Sequence, residues 1–269
     1  MRGVDRALIS AIAHRWHPIA APVSDDNLRR LVQRLELPDG GRVLDLGCGF
    51  GEWLLAALEE FPTAEGVGVD TSTPAIEEAR QRAEQRQLTQ RVTVEQADAA
   101  EWEGGPFDAV LCIGATHALG GLGPTLTAVR RHLRPGGRVL LGDGFWETPP
   151  TPAALIGLGA EPGDFPELHG LVADLPRFGF EPGYGHVSTA GEWDDYEWSW
   201  TGALVDWALT EAADPTAALE AARTHRREWL GGYRGQFGFA TLVLHDLVSD
   251  GEDAAVAADA ALAEEEAGA

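Results

Sequence analysis

Apolar residues occur along the chain in two patterns, one typical of strands and one typical of helices. Short apolar runs are found at residues 42–46, 66–70, 107–114 and 138–142. Between these runs, apolar residues recur three and four positions apart, as they do on one face of an amphipathic helix. Strands that alternate with helices in this way build parallel βαβ units with right-handed crossovers. The pattern therefore predicts a doubly wound α/β protein with a mostly parallel sheet.

The alternating pattern changes at both ends of the chain and again before the last predicted strand. Near the N-terminus, Ile12 and Trp16 belong to an amphipathic helix, and Ser24 is placed to cap a second one. A Pro-rich connection follows Trp146, and an aromatic, helical segment precedes the last strand. We therefore predict an N-terminal helical cover (residues 1–38), a core in two parts (39–189 and 235–248), an inserted helical cap (190–234) and an acidic tail (249–269).

The charge of the chain limits the partners that it can have. Its 43 acidic and 20 basic residues give a formal net charge of −23, and all of those basic residues are arginines. The absence of lysine excludes a Schiff-base lysine and a P-loop lysine. Because a strongly negative field repels phosphates, neither nucleic acid nor an anionic membrane is expected as a partner.

The two cysteines and the lengths of the apolar segments predict a cytoplasmic protein. Cys48 and Cys112 lie in apolar stretches, which argues against a disulfide framework. No stretch approaches the ~20 apolar residues that cross a bilayer. The N-terminal residues also lack the pattern of a secretory signal.

The stretch VLDLGCGFGEW, at residues 43–53, is a strand followed by a glycine-rich turn of the kind that binds nucleotide cofactors. A dinucleotide site has the spacing G-x-G-x-x-G, whereas Gly47, Gly49 and Gly51 have the spacing G-x-G-x-G. The carboxylates of Asp45 before the turn and Glu52 after it are unfavourable next to a pyrophosphate. Asp45 instead suits a ligand that carries an ammonium group, so the turn disfavours a dinucleotide.

The same turn resembles the first motif of the class I S-adenosylmethionine-dependent methyltransferases. Four later segments resemble the next motifs of that family in order and spacing: VGVD at 67–70, EQADAAEW at 95–102, FDAVLCIGATHALGG at 107–121 and HLRPGGRVLLGD at 132–143. The resemblance covers about residues 40 to 145 and implies a Rossmann-like, seven-stranded sheet with S-adenosyl-L-methionine as the cofactor. The finer resemblance is to the small-molecule branch, which includes enzymes of the quinone-biosynthesis type.

The resemblance also implies which residues bind the cofactor. Asp45, Gly47 and Gly49 would hold its methionine end, and Asp70 would bind both ribose hydroxyls. The Asp98 carboxylate and a neighbouring backbone N–H would meet the adenine, which suits its amino donor. The Gly114 carbonyl would lie near the methionine ammonium. The complete predicted set is Asp45, Gly47, Cys48, Gly49, Asp70, Thr71, Asp98, Ala99 and Gly114.

The residues that would serve the methyl acceptor are less clearly marked. His117 follows the fourth strand, at the edge where ligands bind in open α/β sheets, and is the candidate general base. The alternative is that His117 caps the next helix or lines the cofactor pocket. In GEWDDYEWSWTG, at 191–202, Trp193, Tyr196 and Trp200 are candidates for contacting a cationic or flat aromatic acceptor. The alternative is that these rings fill the core of a small cap.

The leading hypothesis is methyl transfer from S-adenosylmethionine to a small molecule by in-line displacement. An NAD-linked oxidoreductase and a non-catalytic cofactor-binding protein of the same fold are the alternatives. His14 and His17 flank Trp16, but further ligands at a suitable spacing are missing, so no metal is expected. The sequence predicts neither the oligomeric state nor whether oxygen, nitrogen or carbon is methylated.

Overall fold

The computed structural model describes residues 6–247, and the acidic tail predicted at 249–269 lies outside them. Within this range one seven-stranded sheet has the order β3-β2-β1-β4-β5-β7-β6. Its strands are β1 Arg42–Leu46, β2 Glu65–Asp70, β3 Val92–Gln96, β4 Phe107–Ile113, β5 Leu133–Trp146, β6 Phe180–Val187 and β7 Phe237–Asp246.

Helices cover both faces of the sheet and its carboxyl edge. They are α1 Arg6–Ala13, α2 Asp25–Gln33, α3 Glu52–Glu60, α4 Thr73–Gln85, α5 Leu122–His132, α6 Pro152–Leu158, α7 Leu168–Ala173, α8 Ala190–Thr210 and α9 Thr216–Glu228. Short 3₁₀ turns at Thr116–Leu119 and Leu175–Phe178 and a π-helical turn at Trp229–Tyr233 complete the list. Within residues 6–247, no helix combines the length and apolar character needed to cross a membrane.

The continuous apolar runs of the strands are explained by burial on both faces. Val43 and Leu111 belong to a core cluster that also contains residues of α2 and α3. Their neighbours Leu44 and Val110 belong to a second cluster, which contains residues of α5. Since successive side chains of a strand point to opposite faces, these central strands need apolar residues at almost every position.

The predicted doubly wound, mostly parallel sheet is confirmed. Strand β1 pairs in parallel with both β2 and β4, so the strand order reverses between β1 and β4. Strand β7 is antiparallel to both β5 and β6. In open α/β sheets ligands bind outside the carboxyl ends of the strands at such a reversal, so this topology directs attention to the loops after β1 and β4.

One predicted strand was too short, and one helix was not predicted. The strand predicted at 138–142 extends to Trp146, because β7 pairs with it up to the partners Trp146 and Phe237. The Pro-rich connection contains helix α6, in which Thr151 accepts a hydrogen bond from the Ala154 N–H and Pro152 occupies the first turn. Proline is compatible with the first turn of a helix, so the Pro-rich composition concealed a helix start.

Ser24 precedes α2 as predicted, but its side chain does not cap the helix. The Ser24 hydroxyl instead donates a hydrogen bond of 2.9 Å to Glu192 Oε1, and the Ser24 N–H and Asn27 Nδ2 donate to the same oxygen. The N–H and hydroxyl of Thr189 donate to Oε2, and His186 Nε2 lies 3.1 Å from that oxygen. We call this group of five residues the Glu192 junction. It joins α2, the end of β6 and the start of α8.

These hydrogen bonds determine the charge state of Glu192. Burial alone would raise the pKa of its carboxyl, but the hydrogen bonds from Thr189, Asn27 and Ser24 outweigh burial and lower the pKa from 4.5 to about 2. Because the folded-state pKa lies below the ordinary value, the junction contributes its full stability above about pH 4.5. That contribution is lost as the pH falls towards 2.

We predict that Glu192→Gln lowers the free energy of unfolding by about 1–3 kcal/mol at neutral pH, since the amide cannot accept all of these hydrogen bonds. The measurement is urea denaturation from neutral pH down to about pH 3. The difference between wild type and variant should shrink as the pH falls below about 4.5. Glu181→Gln, which changes an exposed glutamate of β6, is the control; a Glu192→Gln effect as small as that of the control contradicts the prediction.

Candidate cofactor and acceptor site

The turn between β1 and α3 has a backbone conformation that strongly favours glycine. Gly47, Gly49 and Gly51 have φ angles of 75°, 51° and 75°, all in the left-handed region. A Cβ atom on Gly47 would also lie 2.5 Å from the Cβ of Ala115, in the loop after β4. The glycines therefore allow the loops after β1 and β4 to approach each other at the point where the strand order reverses.

Backbone donors hold this turn against the end of β2. The N–H groups of Gly47 and Cys48 donate to the Val69 carbonyl at 2.8 and 2.9 Å. The Gly49 N–H donates to Asp70 Oδ2 at 2.9 Å, and the Ser72 N–H donates to Oδ1 at 2.8 Å. Each oxygen of the half-buried Asp70 carboxylate has a further lone pair, so the side chain is held in place and can still accept hydrogen bonds from a ligand.

Asp45 is a buried acid whose hydrogen-bonding capacity is not fully used. Its side chain is 2% exposed, and its Oδ2 atom has no hydrogen-bond partner among residues 6–247. Burial, and then the charge of Asp70, raises the pKa of Asp45 to about 8. Buried carboxyl oxygens rarely lack a partner, so the site fits a ligand that brings a cationic hydrogen-bond donor, such as the ammonium of S-adenosylmethionine.

The other predicted cofactor residues follow the neighbouring strands. Thr71 follows β2, Asp98 and Ala99 follow β3, and Gly114 follows β4. Asp98 and Thr71 are exposed, and the position of a Cβ atom on Gly114 is open space. The structure therefore brings the predicted set to one edge of the sheet, at the carboxyl ends of its first four strands. Cys48 is buried, and burial raises the pKa of its thiol.

Glu52 does not face this edge. Glu52 is 7% exposed, and its carboxylate contacts Arg82 of α4 at 2.6 Å and Arg86, the residue directly after α4, at 2.5 Å. Glu52 therefore joins α3 to α4 instead of repelling a ligand phosphate.

His117 is an exposed residue of the 3₁₀ turn that follows β4. Within the described part of the chain its ring nitrogens form no hydrogen bond, and its side chain does not cap α5, which begins after Gly121. The next strand contributes Asp143, which accepts a 3.0 Å hydrogen bond from the Thr116 hydroxyl. Burial raises the pKa of Asp143, and the hydrogen bonds from the Gly144 N–H and the Thr116 hydroxyl partly offset that effect.

Helix α1 and helix α8 meet above the glycine turn. His14 Nδ1 donates to the Ser10 carbonyl at 2.8 Å, and its Nε2 accepts a 3.2 Å hydrogen bond from the Tyr196 hydroxyl. The His14 ring lies 5.7 Å from that of Phe50, which is part of the turn. Burial lowers the pKa of His14, so the neutral ring can accept from Tyr196. His17 packs edge-on against the same tyrosine, 5.4 Å between ring centroids.

A buried glutamate organises the interior of the helices after residue 190. Glu197 is 2% exposed and accepts hydrogen bonds of 2.6 Å from His225 Nε2 and from the Tyr233 hydroxyl. The Trp200 ring stacks on the His225 ring, with 3.8 Å between the ring centroids. Sequence reasoning missed Glu197, although a signal existed: it shares the buried face of α8 with Thr201, Leu204 and Ala208. In the described residues no group of three or more His, Cys, Asp or Glu side chains is arranged to hold a metal ion.

A cavity of about 410 Å³ opens beside this interior. It lies where β5 and β6 end and β7 begins, so it is on the same edge of the sheet as the predicted cofactor residues. Trp193 lines it together with Trp229, Tyr233 and Phe237. Of the three predicted acceptor contacts only Trp193 lines this cavity; Tyr196 contacts His14 and Trp200 contacts His225.

The comparisons with known proteins agree with this geometry. Residues 44–139 match a protein family described as a methyltransferase domain. A solved structure of an S-adenosylmethionine-dependent methyltransferase from Geobacter sulfurreducens, in complex with S-adenosyl-L-homocysteine, is 28% identical to the chain. It superposes with a TM-score of 0.82 over 91% of this chain and 100% of that one. The chain belongs to the S-adenosylmethionine-dependent methyltransferases, and its cofactor is S-adenosylmethionine.

Two curated relatives extend the comparison. The Escherichia coli protein YjhP is 30% identical over 197 residues, which are 72% of this chain and 79% of that protein. The 27-O-demethylrifamycin SV methyltransferase of Amycolatopsis mediterranei is 34% identical over 148 residues, 52% of each protein. The chain thus spans about half the length of that enzyme. The oxidoreductase alternative is set aside, because the matching family and the similar structures are methyltransferases.

We predict that binding of S-adenosylhomocysteine releases about one proton near neutral pH, because the ligand ammonium favours ionised Asp45, whose pKa is about 8 in the free protein. Isothermal titration calorimetry in two buffers of different ionisation enthalpy measures this release. The affinity should rise as the pH increases towards 8. Asp45→Asn should bind without proton release; equal release from wild type and variant contradicts the assignment.

Proposed function

We propose that the protein transfers a methyl group from S-adenosylmethionine to a small-molecule acceptor bound in the cavity beside α8. The observation that carries this proposal is the division of one sheet edge into two parts. The loops after β1 to β4 carry the predicted cofactor residues, and the cavity lies at the ends of β5, β6 and β7. An acceptor in the cavity would be adjacent to the cofactor, and the cavity volume of about 410 Å³ suits a small molecule.

The cofactor, when bound, supplies an electrophilic methyl group on its sulfonium. We propose that Asp45, Gly47 and Gly49 bind its methionine end, with Cys48 and Gly114 beside it. Asp70 and Thr71 would bind the ribose, and Asp98 with Ala99 the adenine. Support comes from the unpartnered Asp45 Oδ2 and from the Asp70 carboxylate held by the Gly49 and Ser72 N–H groups.

The helical segments outside the sheet would enclose the acceptor. We propose that residues 1–38 form a cover and residues 190–234 an inserted cap over a core of residues 39–189 and 235–248. The His14–Tyr196 hydrogen bond and the Phe50 contact support this arrangement, since they join cover, cap and glycine turn. Trp193 would contact the acceptor directly. Tyr196 and Trp200 stay predictions as acceptor contacts.

The relatives, the net charge and the state of the cysteines support a proposed acceptor class and a proposed location. Small-molecule methyltransferases are among the curated relatives, and the formal charge of −23 disfavours a nucleic acid acceptor. We propose a cytoplasmic location, which the two free and buried cysteines support.

The acceptor class is tested by incubating the protein with S-adenosylmethionine labelled at its methyl group and with separated cell fractions. We expect label in the fraction below about 1 kDa, because the cavity volume suits only a small molecule. Label mainly in the protein or nucleic acid fraction contradicts the proposal. Asp70→Ala should abolish labelling through lost cofactor affinity, whereas the control Glu181→Gln should not change it.

His117 is proposed as the general base when the acceptor arrives protonated. Its ring is exposed, follows β4 and has no hydrogen bond within the described residues, so a nitrogen is available to accept a proton. We predict that His117→Ala lowers kcat by about 10²-fold while cofactor affinity stays unchanged. An unchanged kcat contradicts this role.

A further inference from the structure

The cavity beside α8 has an excess of acidic groups. Glu147 lines it, is exposed, and forms no ion pair within the described residues. Asp194 also lines it, but both of its carboxylate oxygens accept hydrogen bonds of 2.8 Å from Arg234. Arg234, the basic residue of the lining, is therefore already neutralised in a bidentate pair. An anionic ligand would find no free positive partner here, whereas a cation would find Glu147.

The walls of the cavity are aromatic. The Trp193 ring lies 6.4 Å from that of Tyr233 and 6.0 Å from that of Phe237, in edge-to-face arrangements, and Trp229 completes the wall. Aromatic faces stack with flat rings and attract cations. Ordinary apolar side chains would favour a neutral ligand, but rings next to an unpaired carboxylate favour a positively charged one.

Two lining residues also have unused hydrogen-bonding capacity. The Trp193 indole N–H and the Ser188 hydroxyl are buried and have no partner within residues 6–247. Buried polar groups without partners are uncommon in folded proteins. A bound molecule with polar substituents on a flat body would provide such partners.

We propose that this cavity binds an arylalkylamine, an aromatic ring that carries a protonated aliphatic amine, with the ring between the aromatic walls and the positive charge near Glu147. This choice of ligand class rests on the proposed function, in which the same cavity holds the methyl acceptor. The net charge of −23 would in addition attract a cation towards the protein.

Three probes of similar size test the proposal: 2-phenylethylamine, 2-phenylethanol and 3-phenylpropionate, which are cationic, neutral and anionic at neutral pH. Binding is measured by calorimetry with S-adenosylhomocysteine present and about 150 mM salt, which screens the long-range field of the protein. We expect the amine to bind at least about tenfold more tightly than the carboxylate. Equal affinities, tighter binding of the carboxylate, or no amine binding up to about 10 mM overturn the proposal.

Variants at Glu147 locate the binding. Because this residue is exposed, its replacement should not prevent folding. Glu147→Gln should weaken amine binding about three- to fivefold, and Glu147→Arg should invert the preference in favour of the carboxylate. Trp193→Ala should weaken all three probes, while Glu181→Gln should change none. Amine binding that is insensitive to both Glu147 variants overturns the assignment to this cavity.

A separate readout distinguishes failure of the inference from failure of the proposed function. Transfer of labelled methyl from S-adenosylmethionine is followed in the same fractions used above. If the amine binds in a Glu147-dependent way but the small-molecule fraction is never labelled, the inference about the cavity is supported and the acceptor function is not. If the small-molecule fraction is labelled but the amine does not bind, the reverse holds.

Discussion

The structure depends on one set of hydrogen bonds, those that join the glycine turn after β1 to the end of β2. The N–H groups of Gly47 and Cys48 converge on the Val69 carbonyl, and the Gly49 N–H is bound by Asp70. These bonds satisfy backbone donors that a tight turn would otherwise leave unpaired. They also determine where the carboxylate of Asp70 lies, so the conformation of the turn fixes the position of a predicted cofactor-binding group.

The rest of the carboxyl edge is organised around that turn. A Cβ atom on Gly47 would clash with Ala115 in the loop after β4. Phe50, which is part of the turn, contacts His14 of the N-terminal cover. On the other half of the edge, α8 begins at the Glu192 junction and brings Trp193 to the cavity. The two halves thus depend on different interactions, backbone hydrogen bonds on one side and a carboxylate with four partner residues on the other.

The sequence was informative where local rules dictate the outcome. Alternating apolar runs predicted the sheet. The resemblance of the glycine turn and the later segments to methyltransferase motifs implied the cofactor residues, which the structure brings to one edge of the sheet. Prediction was less successful where the determining contact is distant in the chain. Ser24 had every local property of a helix cap, but Glu192, 168 residues away, takes its hydroxyl. The network of Glu197, His225 and Tyr233 likewise joins residues whose proximity only the packing of α8 and α9 produces. The position of Glu147 in the cavity lining was also missed, because the strand was predicted to end at residue 142, whereas β5 continues to Trp146.

The Glu192 junction has a consequence for modular exchange among related proteins. Its carboxylate belongs to the helical segment that would determine acceptor choice, but Ser24, Asn27, His186 and Thr189, which bind it, lie outside that segment. In a chimera, residues 190–234 would be replaced with the corresponding part of a relative. The four polar residues would then lose their shared hydrogen-bond partner unless that relative also has an acid at this position. The sequence limits of a transferable specificity module are thus set by hydrogen-bond partnership, not by the ends of its helices.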